Sequence, residues 1–182
     1  EKDLSNIPEI DLLIIGQNPH HFLDINFATE EIYYQHLQWI RDFSLEFPNY
    51  KIYFKHHETF LGKNLRTDPT FIREQNILKG TSIITHVKSR SKNGSYAYMD
   101  RSKVICGFGS TMILEGLGHG KPGFFLDPKN KNSSHFKNKK EYRDVRINTY
   151  EDFKKKMINS INNKESKIDK PEQYCMKSEN VT

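Results

Sequence analysis

The stretch from Val104 to Asp127, VICGFGSTMILEGLGHGKPGFFLD, limits the fold of this chain more than any other. Lys103–Phe108 is a short apolar run, the mark of a strand covered on both faces. Gly109-Ser110-Thr111 follows, and Ser110 is a favoured N-cap for a helix over Ser110–Leu117. Gly118 or Gly120 ends that helix, and Pro122–Leu126 is a second apolar strand. The order sets a helix N-terminus at the carboxyl end of a buried strand, where a doubly wound sheet holds a phosphate. A nucleotide-type ligand is the first expectation.

The remaining pattern repeats the alternation. Residues 1–10 read as a lead-in. Leu12–Ile15 is a buried strand ended by Gly16, and Gln17-Asn18-Pro19 is a tight loop. Thr29 is an N-cap candidate, with Glu30 and Glu31 at the positive end of the helix dipole. Ile32, His36 or Leu37, Ile40, Phe43 and Phe47 then recur at helical spacing until Pro48-Asn49. Tyr50–Lys55 is a strand in which Ile52 and Phe54 alternate with Lys51, Tyr53 and Lys55, which suits a place near a sheet edge. The spacing predicts a short helix in Pro69–Leu78, a strand in Ser82–Val87, and one helical turn over Ser95–Asp100 capped by Ser95. Val145–Asn148 reads as a short edge strand. Tyr150–Ile161 is an amphipathic helix through Phe153, Met157 and Ile161, and 163–182 is a polar tail expected to be disordered. Strand and helix in alternation mean an α/β open parallel sheet with right-handed crossovers, in one domain over 11–162.

Composition narrows function only slightly. The net charge of +5 over 182 residues is a mild basic bias, read first as a solvated surface. The basic residues are spread and no aromatic stacking motif accompanies them, so no nucleic-acid partner is expected. Lysines of 129–140 offer peripheral contact with lipid headgroups or a solvated loop. Cys106 and Cys175 form no ligand cluster, which points to a reducing, cytoplasmic setting without structural zinc. The apolar runs are too short to span a membrane. The chain does not begin with Met, so it is read as a fragment or a processed piece.

Three sites emerge. At Gly109, Ser110 and Thr111, free first-turn amides and two hydroxyls face a phosphate, Gly107 or Gly109 gives a ligand room, and Glu115 reaches ribose hydroxyls one turn further in. The plain alternative is an ordinary capped helix with an exposed acid. At Lys55-His56-His57-Glu58, one histidine stands on the ligand face at a strand's end, and His57 is the choice. Surface histidines in a polar loop are the alternative. Gln17, after the first strand, lines a cleft or belongs to a simple turn. Ser95, in Asn93-Gly94-Ser95-Tyr96, approaches a ligand or merely caps a turn.

The series Lys-His-His-Glu at a strand's end, Asn-Gly-Ser-Tyr, then Gly-Ser-Thr-Met-x-x-Glu-Gly with a later Gly-Lys-Pro resembles the carboxyl-terminal half of GT-B glycosyltransferases. It is most similar to the bacterial capsule and surface-polysaccharide group, over 11–161. The resemblance implies a Rossmann-like fold with helices on both faces, forming half of a two-domain enzyme. Ser110 and Thr111 would hold the donor phosphate, Glu115 the donor ribose, and His57 would stand in the place of the His of a His-Pro pair, with Glu58 where the Pro would be. It further implies a nucleotide-sugar donor, no cofactor or required metal, and an amino-terminal acceptor domain that this chain lacks, leaving it inactive alone. A sugar-nucleotide epimerase of the same fold and a non-catalytic nucleotide-binding module are the rivals.

Overall fold

The computed structural model describes residues 7–17, 30–56, 67–86, 94–128 and 142–162. Six strands form one sheet: β1 (Ile10–Ile15), β2 (Ile52–Lys55), β3 (Ile84–His86), β4 (Ser102–Gly107), β5 (Gly123–Leu126) and β6 (Arg146–Ile147). Their order is β3-β2-β1-β4-β5-β6, and every pair is parallel. Among the described residues five helices connect or cover them: α1 (Glu30–Glu46), α2 (Pro69–Leu78), α3 (Gly94–Arg101), α4 (Thr111–Gly118) and α5 (Tyr150–Asn162). The described residues form an open α/β sheet of Rossmann type.

The period of two along each strand divides the core into two layers. Leu12, Ile14, Ile52, Phe54, Val104, Cys106 and Leu126 meet α1 and α5 on one face. Leu13, Ile15, Tyr53, Ile105 and Phe125 meet α3 and α4 on the other. The continuous apolar runs are thus consumed on both sides, as a parallel sheet requires. Burial also pushes the Cys106 thiol well above its ordinary range, so it stays protonated inside the first layer.

Local chemistry fixes the helix ends. Asp68 caps α2, its carboxylate accepting from the Thr70 amide at 2.9 Å and the Phe71 amide at 3.2 Å, with Pro69 as the first helical residue. Helix α5 buries Phe153, Met157 and Ile161, as its spacing predicts. It is clamped to the last turn of α1 by Glu46, which accepts from the Tyr150 hydroxyl at 2.5 Å and from Lys154 at 2.9 Å. Helix α4 ends in a Schellman motif: the Gly120 amide donates to the Leu117 carbonyl at 2.9 Å and the Lys121 amide to Gly116 at 2.9 Å. Gly120 carries the positive φ of 76° that this turn needs.

Two sequence expectations are corrected here. Strand β2 does lie next to the edge strand β3, but its second face is not partly open: Tyr53 is buried against the second layer, its ring 6.2 Å from that of Tyr98. Ser95 does not cap α3; the helix starts at Gly94 and Ser95 lies inside its first turn. The edge position of β6 and the extent of α2 agree with the sequence reading. The tail 163–182 and the lysine-rich loop lie outside the described residues. Among the described residues, no helix is long and apolar enough to cross a membrane.

Candidate functional site

The order of the strands reverses direction between β1 and β4, and an open α/β sheet opens its ligand crevice at the carboxyl ends of such a pair. Ile15 of β1 faces Gly107 of β4 in register, so Gly16-Gln17 and Phe108-Gly109-Ser110 leave the sheet side by side. Gln17, Gly109 and Ser110 are half-buried there, and Thr111 and Glu115 are exposed. Helix α3 runs straight into β4 at Arg101-Ser102, so its first turn, with half-buried Ser95, also lies at the carboxyl end. Gln17, Ser95, Gly109, Ser110 and Thr111 are therefore brought to one end of the sheet.

Ser110 adopts the extended backbone of an N-cap, with φ −82° and ψ 137°. Its Oγ accepts from the Met112 amide at 3.3 Å, and its carbonyl accepts from the Ile113 amide at 3.1 Å. The Ser110 side-chain oxygen thus already serves the helix; its O–H, the Thr111 amide and the Thr111 hydroxyl are the groups offered outward. The Glu115 carboxylate, one turn on, raises the phenol of Tyr96 on α3 above its usual pKa, with burial a lesser cause.

Two neighbouring features prove architectural. A Cβ on Gly107 would stand 2.6 Å from the Ile15 carbonyl oxygen, so that glycine makes room for β1 rather than for a ligand. The Gly118–Pro122 segment lies at the amino end of the sheet, opposite Ser110. There Lys121 donates from Nζ to the carbonyl of Ser102, the first residue of β4. Burial lowers the Lys121 pKa, and Asp100 partly offsets this.

His57, the residue chosen on the sequence for leaving-group chemistry, lies outside the described residues. Its neighbour His56 turns inward to a buried polar cluster that no sequence pattern revealed. The Tyr33 hydroxyl donates to Glu74 Oε1 at 2.7 Å, and Glu74 Oε2 lies 3.3 Å from His56 Nδ1. His56 Nε2 is 3.2 Å from the Gln75 amide nitrogen. Glu74 is 1% exposed, so its carboxylate depends on the Tyr33 hydroxyl that donates to it. Burial, then Glu74, raises the Tyr33 hydroxyl well above its ordinary pKa. Helical spacing from Ile32 marks His36 as inward, but Tyr33 and Glu74 are polar residues that only the tertiary fold pairs.

His36 stacks on Phe108 at 5.1 Å, next to Tyr33, and burial lowers its pKa from 6.5 to about 3. The folded state therefore keeps His36 neutral where the unfolded chain takes up a proton. Stability is unaffected above pH 6.5 and falls as pH drops from 6.5 towards 3, by up to about 1.4 kcal/mol per pH unit. Chemical denaturation between pH 4 and 7 is expected to show this slope, and His36→Phe to flatten it.

Among the described residues, no group of three or more His, Cys, Asp or Glu side chains is placed to hold a metal ion. No known protein family matches the sequence, and no curated protein matches it. The fold is similar to that of an O-GlcNAc transferase mutant of Thermobaculum terrenum, with a TM-score of 0.55 at 13% sequence identity. The match covers 86% of this chain but 29% of that one, so the chain spans under a third of the transferase it resembles. The glycosyltransferase resembles this chain in fold.

Proposed function

We propose that the chain is the donor-binding half of a GT-B glycosyltransferase, which passes a sugar from a nucleotide-activated donor to a surface polysaccharide or glycolipid acceptor. The observation that carries the reading is the N-terminus of α4 at the β1/β4 reversal, capped in extended geometry by Ser110 with Glu115 on the same helix. The fold shared with a glycosyltransferase supports it. In this reading Thr111 and the Ser110 hydroxyl bind the donor phosphate, Glu115 accepts from the ribose, and Gln17 and Ser95 line the crevice. The reaction is displacement at the anomeric carbon. The bond to the nucleotide phosphate lengthens, negative charge gathers on the leaving oxygens, and the helix N-terminus with His57 stabilises it. An amino-terminal acceptor domain supplies the base that deprotonates the acceptor hydroxyl. The enzyme works on the cytoplasmic side of the envelope pathway and needs no metal.

The test is calorimetric titration of this chain with CMP, CDP and UDP. Millimolar or tighter binding of at least one is expected. Glu115→Ala is expected to weaken that binding about tenfold, the loss of one hydrogen bond to a charged group, with an unchanged melting temperature. No heat with any of the three nucleotides contradicts the reading. A lower melting temperature with unchanged affinity makes Glu115 a structural residue. If the chain with its acceptor domain restored turns over donor in the absence of acceptor, the reaction is epimerisation instead.

A further inference from the structure

Phe108 ties together two parts of the molecule that lie on opposite faces of the sheet. It continues the alternation of Val104 and Cys106, so its ring belongs to the first layer, where it is fully buried. Helix α4, which starts three residues later, packs in the second layer through Ile113 and Leu117. Gly109 and Ser110 alone span the change of face. The turn is therefore positioned from two sides: by α4 on one and by the seat of the Phe108 ring on the other. That seat is made by α1. His36 lies nearly flat against Phe108, with ring centroids 5.1 Å apart and an interplanar angle of 27°. Tyr33 stands edge-on to both rings, 5.6 Å from Phe108 and 5.0 Å from His36. Tyr33 is itself fixed, since its hydroxyl donates to buried Glu74 at 2.7 Å. A close-packed interior of this kind gives Phe108 one seat, and only a change in the rings beneath it can lower it.

We propose that His36 is a positioning residue for the anion site: its ring, steadied by Tyr33, fixes the height of Phe108 and through it the aim of the Gly109-Ser110-Thr111 turn. The inference rests on the donor-site reading above and deepens it. It names a buried side chain on which affinity depends and which works through another residue rather than by touching the ligand. Backbone donors serve an anion only while they stay within about 0.5 Å of the productive geometry, so a small sinking of Phe108 is enough to spoil them.

The test is titration of the wild type, His36→Ala, His36→Phe and Met157→Ala with UDP, CDP and CMP, at a temperature where circular dichroism shows each variant folded. His36→Ala removes the seat. It is expected to weaken nucleotide binding about tenfold and to shift the Gly109 and Thr111 amide resonances of the ligand-free chain. His36→Phe keeps a flat ring and is expected to restore both. Met157, fully buried in the same layer on α5, is the control: its truncation is expected to lower the melting temperature and leave affinity unchanged. Should His36→Ala fail to fold, Phe108→Leu, which thins the same stack from the other side, is read in its place with the same expected loss. Unchanged affinity in a destabilised His36→Ala, a loss that His36→Phe does not restore, or an equal loss in Met157→Ala overturns the positioning role and leaves the site standing. If the wild type binds none of the three nucleotides, the site and the positioning role fall together.

Discussion

Replacing Glu74 by alanine is expected to remove about 3–5 kcal/mol of folding stability, the usual cost of stripping one partner from a buried ionic cluster. The truncation acts through several routes at once. Tyr33, fully buried, loses the acceptor 2.7 Å from its hydroxyl. His56, held between the rings of Phe54 and Phe71, loses the carboxylate 3.3 Å from Nδ1. Neither group has water to replace the lost partner, and each stranded polar group costs about 1–3 kcal/mol. A cavity between α1, α2 and the end of β2 adds to this. Glu74→Gln keeps the shape and an acceptor for Tyr33, and is expected to lose much less. Guanidinium unfolding followed by circular dichroism measures both; equal losses for Ala and Gln, or a loss under about 1 kcal/mol for Ala, contradict the role assigned to the carboxylate. Against a typical total of about 5–15 kcal/mol, the alanine variant stands near the edge of folding.

Gly107→Ala is expected to be the second most damaging change, at about 1–3 kcal/mol or more. The new methyl would stand 2.6 Å from the Ile15 carbonyl oxygen, with Ile15 Cβ and Ile113 Cδ1 at 3.4 Å. The nearest atom is backbone of the adjacent central strand and cannot rotate aside, so β1 and β4 must part at the point where their carboxyl ends frame the crevice. Gly116→Ala offers a contrast. Its nearest neighbour, at 2.1 Å, is the terminal methyl of Ile105, which can turn within its side chain. Thermal unfolding of the two variants is expected to rank Gly107→Ala below Gly116→Ala, and the reverse order contradicts the account of the central strand pair.

Much of this architecture is legible in the sequence because parallel strands and capped helices leave strong local marks. Leu12–Ile15 and Val104–Phe108 are continuous apolar runs because both faces of their strands are covered. Ser110 and the Gly120 turn are legible because caps follow from backbone geometry that only a few residues satisfy. What escapes is tertiary. Tyr53 sits among lysines and reads as half-exposed, yet the neighbour that covers its face, Tyr98, comes from a distant helix. Nothing in the local pattern singles out Glu74, and only the meeting of α1 with α2 turns it into the acceptor for Tyr33. Gly107 reads as room for a ligand, and only strand pairing shows that it makes room for β1. The same limit affects the candidate site. Ser110 and Thr111 are found by local pattern, while the influence of Glu115 on the Tyr96 phenol depends on two helices that the sequence cannot set side by side.

The central claim is that an anion, carried on a nucleotide, docks at the start of α4. Amide-resolved NMR of the 15N-labelled chain, titrated with UDP, CDP and CMP, tests it most directly. The account predicts that the amides of Gly109, Thr111 and Met112 move most, with Glu115 following, while Gly80, Gly120 and Lys121 at the opposite end of the sheet stay still. Shifts that gather at that opposite end, or a spectrum that no nucleotide alters, contradict it.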